Sequence, residues 1–167
     1  MKRSEINSIY KWNVEDIFSS EKEFYDSLAK LKKQIDFSSF KGKLGDSFIL
    51  KNCFDKFYEL LGELEVLSVY AMMKKDEDAS KSSSIKLVGA IEDVEVKFST
   101  EVSFIEPELT SLSLSTLEDF LNNESLNLYK NDIKKIIESK PHVLSEEVEG
   151  VLAQGSKVFS GYKKIFG

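Results

Sequence analysis

Apolar residues recur at three- and four-residue steps from Asp46 to Lys75, where Leu50, Phe54, Phe57, Leu61, Leu64, Leu67 and Ala71 fall on one side of a 3.6-residue helix. Asn52, Asp55, Lys56, Glu59 and Glu63 face elsewhere, so the pattern predicts a long amphipathic helix with Asp46 as its N-cap. From Leu60 onward Val66, Val69, Tyr70 and Met73 widen the apolar face, which predicts a second half packed from more than one side. At about 1.5 Å per residue this spine would be roughly 45 Å long if unbroken. Gly62 is where a break is expected, because glycine costs roughly 1 kcal/mol relative to alanine inside a helix.

Before the spine, Ser20-Glu21-Lys22-Glu23 reads as a capping box, and Phe24, Leu28, Leu31 and Ile35 give the buried stripe of a first helix ending near Gln34 to Phe37. Phe40-Lys41-Gly42-Lys43-Leu44-Gly45 has the glycine content of a turn. The first eighteen residues show little periodicity but carry Trp12, the only tryptophan, and read as an arm docked onto the core by its large apolar side chains.

After the spine, the polar run 76–84 is a connector. Two templates then fit 85–105. Leu87, Ile91, Val94, Phe98, Val102 and Ile105 match a helix, while Val94, Val96, Phe98, Val102 and Phe104 also sit at alternate positions, as in a strand. Pattern alone does not choose over 94–104. No other segment alternates well enough to pair with a strand, whose backbone groups would stay unsatisfied, so helix is the reading adopted, antiparallel to the spine and ended by Pro107. Ser115-Thr116-Leu117-Glu118 is a second capping box for a short helix through Leu121. Another helix starts at Leu126, with Tyr129, Ile133, Ile136 and Ile137 buried and Pro141 as its stop. Ser145, followed by Glu146 and Glu147, caps a last helix interrupted at Gly155, and Lys157 to Phe166 is again apolar. The expected fold is an all-α helical bundle built on the antiparallel hairpin of about 46–75 with 85–105, forming a single domain over 1–167.

Composition changes this picture little. The 167 residues, 41% hydrophobic and 31% charged, suffice for one core. A balance of 23 basic against 29 acidic residues, 23 − 29 = −6, argues against a sequence-independent nucleic-acid binder, and the lysine pairs are dispersed among acids. Cys53, the single cysteine, fits a reducing compartment and sits on the spine as a buried or half-buried thiol. No signal peptide or membrane span is apparent, and a cytoplasmic location is expected.

The residues offer little chemistry. A catalytic zinc site needs at least three protein ligands, and His142 is the only histidine. A Ser-His-Asp or Cys-His site would need that same His142, and no nucleophile-elbow glycines surround any serine. Gly42-Lys43-Leu44-Gly45-Asp46-Ser47 lacks phosphate-loop spacing. Glu106-Pro107-Glu108 and Asp76-Glu77-Asp78 read as helix ends and hydrated carboxylates. No catalytic, cofactor-binding or metal-binding residue is therefore assigned.

A resemblance nevertheless runs along the chain. Lys11-Trp12-Asn13-Val14-Glu15-Asp16-Ile17-Phe18 resembles the start of oligoendopeptidase F and its relatives in the thimet-type zinc peptidase family. Phe40-Lys41-Gly42-Lys43-Leu44, Tyr70-Ala71 with Asp76-Glu77-Asp78, Glu106-Pro107-Glu108-Leu109, Tyr129, and His142-Val143-Leu144-Ser145-Glu146-Glu147-Val148-Glu149 continue it in order. The resemblance implies an N-terminal helical region forming a wall of a deep substrate channel. The family's His-Glu-x-x-His zinc helix lies far downstream and does not occur in this sequence. The parent protein would then be a zinc-dependent oligoendopeptidase acting on short peptides. This chain, ending at Ile165-Phe166-Gly167 where the family continues, would be an inactive fragment whose partner is a missing C-terminal catalytic domain, with self-association open to it. The alternative is a stand-alone helical module that binds another protein through an exposed apolar groove.

Overall fold

The computed structural model describes residues 7–10, 12–78 and 81–142, and among them there are helices and turns but no strand. The all-α class expected from the periodicity holds. The chain divides into two compact units, Met1–Leu109 and Thr110–Gly167.

In the first unit, α1 spans Glu21–Gln34. Ser20 Oγ accepts the Glu23 N–H at 3.3 Å, while the Glu23 carboxylate turns back to Ser19, accepting from its N–H at 2.9 Å and its hydroxyl at 2.7 Å. The capping box thus closes with its return bond one residue early. Phe24, Leu28, Leu31 and Ile35 are buried, as their spacing predicts.

α2 spans Ser47–Glu77, and Asp46 Oδ1 accepts from the N–H groups of Phe48 and Ile49 at 2.9 and 3.0 Å. It passes Gly62 without a break. Leu60 and Leu64, on either side of the glycine, are 2% and 5% exposed, and their burial outweighs a propensity cost of roughly 1 kcal/mol. The widened apolar face expected over the second half, packed from more than one side, holds in part. Leu64, Leu67, Tyr70 and Ala71 are buried, but Val66, Val69 and Met72 are 50%, 51% and 53% exposed.

α3 spans Ser82–Val102 and runs antiparallel to α2. Ser84 Oγ donates to the Lys74 carbonyl at 3.1 Å, Ser68 Oγ donates to Glu95 at 3.0 Å, and the Phe57 and Phe98 ring centroids are 5.4 Å apart, so partners rise on one helix as they fall on the other. Leu87, Ile91, Val94 and Phe98 point inward while Val96 is 66% exposed, which decides 94–102 for helix over strand.

The expected stop at Pro107 also needs correction. α3 ends at Val102, where the hydroxyls of Ser99, Thr100 and Ser103 donate to carbonyls of the last turns. Pro107 is the third residue of α4, Ile105–Ser111, where its missing N–H costs nothing because first-turn amides have no intrahelical partner.

The connection between α1 and α2 is buried rather than looped out. Ile35, Phe37 and Leu44 are at most 1% exposed, and Gly42 turns the chain with φ +75°. Helix side chains hold its backbone. Glu101 accepts the Phe37 N–H at 3.2 Å and Lys56 Nζ donates to the Asp36 carbonyl at 2.6 Å, while Lys97 Nζ donates to the Lys32 carbonyl in the last turn of α1 at 2.6 Å. The Glu108 carboxylate accepts the N–H groups of Gly42 at 2.8 Å and Leu44 at 2.7 Å.

Near the N-terminus, Trp12 is 75% exposed, so the buried anchor of this stretch is not the tryptophan. Val14 is 1% exposed, Glu15 pairs with Lys74 at 2.6 Å, and the Phe18 ring lies edge-on to Phe24 and Tyr70 at 5.9 and 5.2 Å.

In the second unit, α5 spans Leu114–Asn122, and its cap is Ser113 rather than Ser115, accepting the Thr116 N–H at 3.1 Å. A 3-10 turn, Glu124–Tyr129, leads into α6, Lys130–Ser139. Leu117, Phe120, Leu126, Tyr129 and Ile133 form the buried set, whereas Ile136 and Ile137 are only half-buried. Pro141 sits within a further 3-10 turn, Lys140–His142, and Lys140 Nζ donates to the Thr110 and Leu112 carbonyls. The helix expected from Ser145 and the apolar stretch from Lys157 to Phe166 lie outside the described residues.

Two outcomes test this packing by urea denaturation. Glu108→Ala removes a charged acceptor from two amides and is expected to destabilise by about 2–3 kcal/mol, with Glu108→Gln recovering part of the loss. Leu67→Ala is expected to cost about 2–5 kcal/mol and Val69→Ala less than about 0.5, whereas equal losses would mean α2 is packed all round.

Candidate functional surface

The residues singled out for chemistry are held in structural tasks. Cys53 is fully buried on α2, and burial, with the negative charge of Glu108, pushes its thiol up to about 12 against a smaller opposing effect of Lys56. A thiol in that state is not a nucleophile near neutral pH. The Gly42 N–H, which a phosphate would require, is donated to Glu108. Glu77 pairs with Lys74 at 3.5 Å at the end of α2. His142 belongs to the turn Lys140–His142, and no set of three His, Cys, Asp or Glu able to hold a metal ion occurs among the described residues. No helix among them is long and apolar enough to cross a membrane.

Stretches distant in sequence are brought together by these bonds. Val14 to Phe18 meets the end of the spine, where Tyr70 stacks on Phe24 at 5.3 Å and Lys74 lies 5.8 Å above the Tyr70 ring. Burial disfavours the Lys74 ammonium, but the Glu15 hydrogen bond and the charges of Glu77, Glu15 and Tyr70 outweigh it and leave the lysine above its ordinary pKa. In the same way Phe40 to Leu44 meets Glu106 to Leu109 through Glu108. Sequence spacing had read Glu108 as a hydrated helix end. Its partners lie 66 and 64 residues away, and no local signal reports them.

The surface features that remain are grooves beside α2. One, of about 230 Å³, is lined by Phe18, Ser27, Lys30, Glu63, Val66 and Leu67. A larger one of about 460 Å³ runs along the α2–α3 seam, with Leu61, Leu64, Val69 and Phe98 as its apolar lining and Glu65, Ser68 and Glu95 as its polar groups. Between them the exposed edge of α2 presents Val66 and Val69. Their linings set apolar side chains beside Lys30 and Glu63 in the first and Glu65 and Glu95 in the second.

This all-α arrangement matches peptidase relatives. The family model described as Oligopeptidase F matches residues 108–167, close to the bounds of the second unit. The chain is 29% identical over 166 residues to an oligoendopeptidase F homolog of Borreliella burgdorferi, covering 98% of this chain and 28% of that protein. It is 32% identical over 170 residues to oligopeptidase PepF of Bacillus subtilis, covering 98% and 25%. The solved oligoendopeptidase-F of Enterococcus faecium aligns with 27% identity and a TM-score of 0.66, over 85% of this chain and 29% of that one. The chain therefore resembles the N-terminal region of oligoendopeptidase F, as the ordered motifs implied. It spans about a quarter of the length of these curated relatives.

Cys53 gives a pH test of the buried spine. Its folded pKa is raised, so its contribution is complete below the unfolded thiol's value of about 8.5 and is lost as pH rises toward about 12. Urea denaturation is expected to show stability falling by up to about 1.4 kcal/mol per pH unit from this group across that window, and Cys53→Ala should lose that part of the slope. Burial also raises Tyr70, which adds a further alkaline loss in both proteins. A thiol reagent should label native Cys53 only after unfolding.

Proposed function

We propose that the chain is the N-terminal helical domain of a zinc metallo-oligoendopeptidase that hydrolyses short peptides, and that it forms part of the wall of the substrate channel without contributing a catalytic residue. The observation that carries this reading is likeness over 98% of the chain to oligoendopeptidases of which it spans about a quarter. The wall's contribution is steric. Closely packed helices with a bonded connection between α1 and α2 make a stiff surface, and a stiff wall beside a cleft admits extended peptides while excluding folded proteins.

A catalytic zinc needs three protein ligands, and the described residues offer no such set. In this reading a His-Glu-x-x-His helix in a C-terminal catalytic domain holds the metal, and the parent protein is cytoplasmic. A stand-alone protein-binding module is the second reading, favoured by the exposed Val66, Val69 and Met72.

The test is to read and express the continuing reading frame. The full product is expected to cleave short fluorogenic peptides but not a folded protein, to lose activity on chelation, and to regain it with zinc. Residues 1–167 alone should show no turnover with zinc present. A reading frame without the zinc helix, or activity indifferent to chelation, overturns the proposal.

A further inference from the structure

The outward face of α2 is apolar over the length of the helix that the core does not claim. Tyr58, Val66, Val69 and Met72 are 41%, 50%, 51% and 53% exposed, so none of them is a core residue, and with the exposed Gly62 they recur at steps of three and four along one side. From Tyr58 to Met72 this face runs for about four turns, roughly 21 Å at helical rise, with Glu59 and Glu65 as its exposed charges. The outer face of α3 differs, since its exposed Ile85 and Val96 are separated by Lys86, Glu92, Asp93 and Glu95, a pattern suited to water. A continuous apolar face of this length marks a contact with another segment.

Gly62 lies within this face. A Cβ there would meet nothing within 4 Å among the described residues, and its φ is not positive, so neither a neighbour nor the backbone calls for glycine, which is unfavourable inside a helix. A glycine on an open face admits a second backbone more closely than any side chain would. The length of the relatives supplies the occupant. This chain is about a quarter as long as they are, so in the reading proposed above about three quarters of the parent lie beyond Gly167. A segment tied to the same chain meets the face at a far higher effective concentration than a free copy or a separate protein does.

We propose that the face of α2 formed by Tyr58, Gly62, Val66, Val69 and Met72 is covered by a segment of the parent chain beyond Gly167, packed most closely at Gly62. The inference rests on the reading of this chain as the N-terminal domain of a longer peptidase, and it names the surface through which the two parts join.

The experiment follows maleimide labelling in the full product of the continuing reading frame, with the peptide around each introduced cysteine quantified by mass spectrometry and each rate divided by the rate in urea. Val69→Cys is expected to label about tenfold or more slowly than Val96→Cys, on the charged face of α3, at every protein concentration. Gly62→Leu is expected to raise the Val69→Cys rate by about fivefold or more, and Gly89→Leu, which fills equally open space on α3, by less than about twofold. Equal rates for the two cysteines overturn the proposal, as does protection lost on dilution, which would make a second copy the cover, or a reading frame that ends at Gly167. Protection indifferent to Gly62→Leu overturns the close approach at Gly62. Cleavage of short peptides, measured on the same samples, tests the peptidase reading separately: a parent that cleaves them while labelling both cysteines equally fast keeps that reading and loses this inference. Thermal unfolding of each variant confirms that it is folded. Should Val69→Cys not fold, Val66→Cys on the same face takes its place, and should Gly62→Leu not fold, the two cysteines and their dilution series decide the question.

Discussion

The Glu108 carboxylate, bonded to the amides of Gly42 and Leu44, is the interaction on which the first unit turns. The connection between α1 and α2 carries Phe37 and Leu44 into the core without forming regular structure, so its amides and carbonyls need partners from elsewhere. Glu101 and Glu108 supply acceptors and Lys56 supplies a donor, while Lys97 donates to the last turn of α1. These bonds tie the connection and the end of α1 to the hairpin, beside the apolar packing of Phe24, Leu28 and Leu31. The left-handed Gly42 allows the turn, and the carboxylate fixes it.

The same bonds give a physical meaning to the resemblance. The stretches that resemble oligoendopeptidase F join in space: Val14 to Phe18 with Tyr70 and Lys74, and Phe40 to Leu44 with Glu106 to Leu109. Their side chains stack, pair and bond to backbone, and so hold helices in place. Cys53, the one strong nucleophile type on α2, is kept neutral by burial.

Much of the fold was legible because helical order is local. Asp46 and Ser20 cap the helices they were expected to cap, the α1 stripe is buried as its spacing predicts, and so are Leu87, Ile91, Val94 and Phe98 of the α3 stripe, with Val102 half-buried. The ambiguous stretch 94–102 is helical because its inward residues face α2, a neighbour that periodicity implies but does not place. Local rules failed where a neighbour outweighed a propensity. Gly62 is carried through by Leu60 and Leu64, and Pro107 is tolerated because it falls in a first turn. Ser113 takes the cap that spacing assigned to Ser115, because α5 begins at Leu114 and Ser115 already lies in its first turn.

The sequence by itself determined the helical class, the hairpin and most of the core, because a 3.6-residue period and a capping side chain act within one or two turns. Tertiary structure alone decided which apolar residues of α2 stay outside. Periodicity defines a face but not how many neighbours cover it, so Val66 and Val69 look identical in sequence to buried positions. It also decided the role of Glu108, whose amide partners are brought to it only when the helices pack.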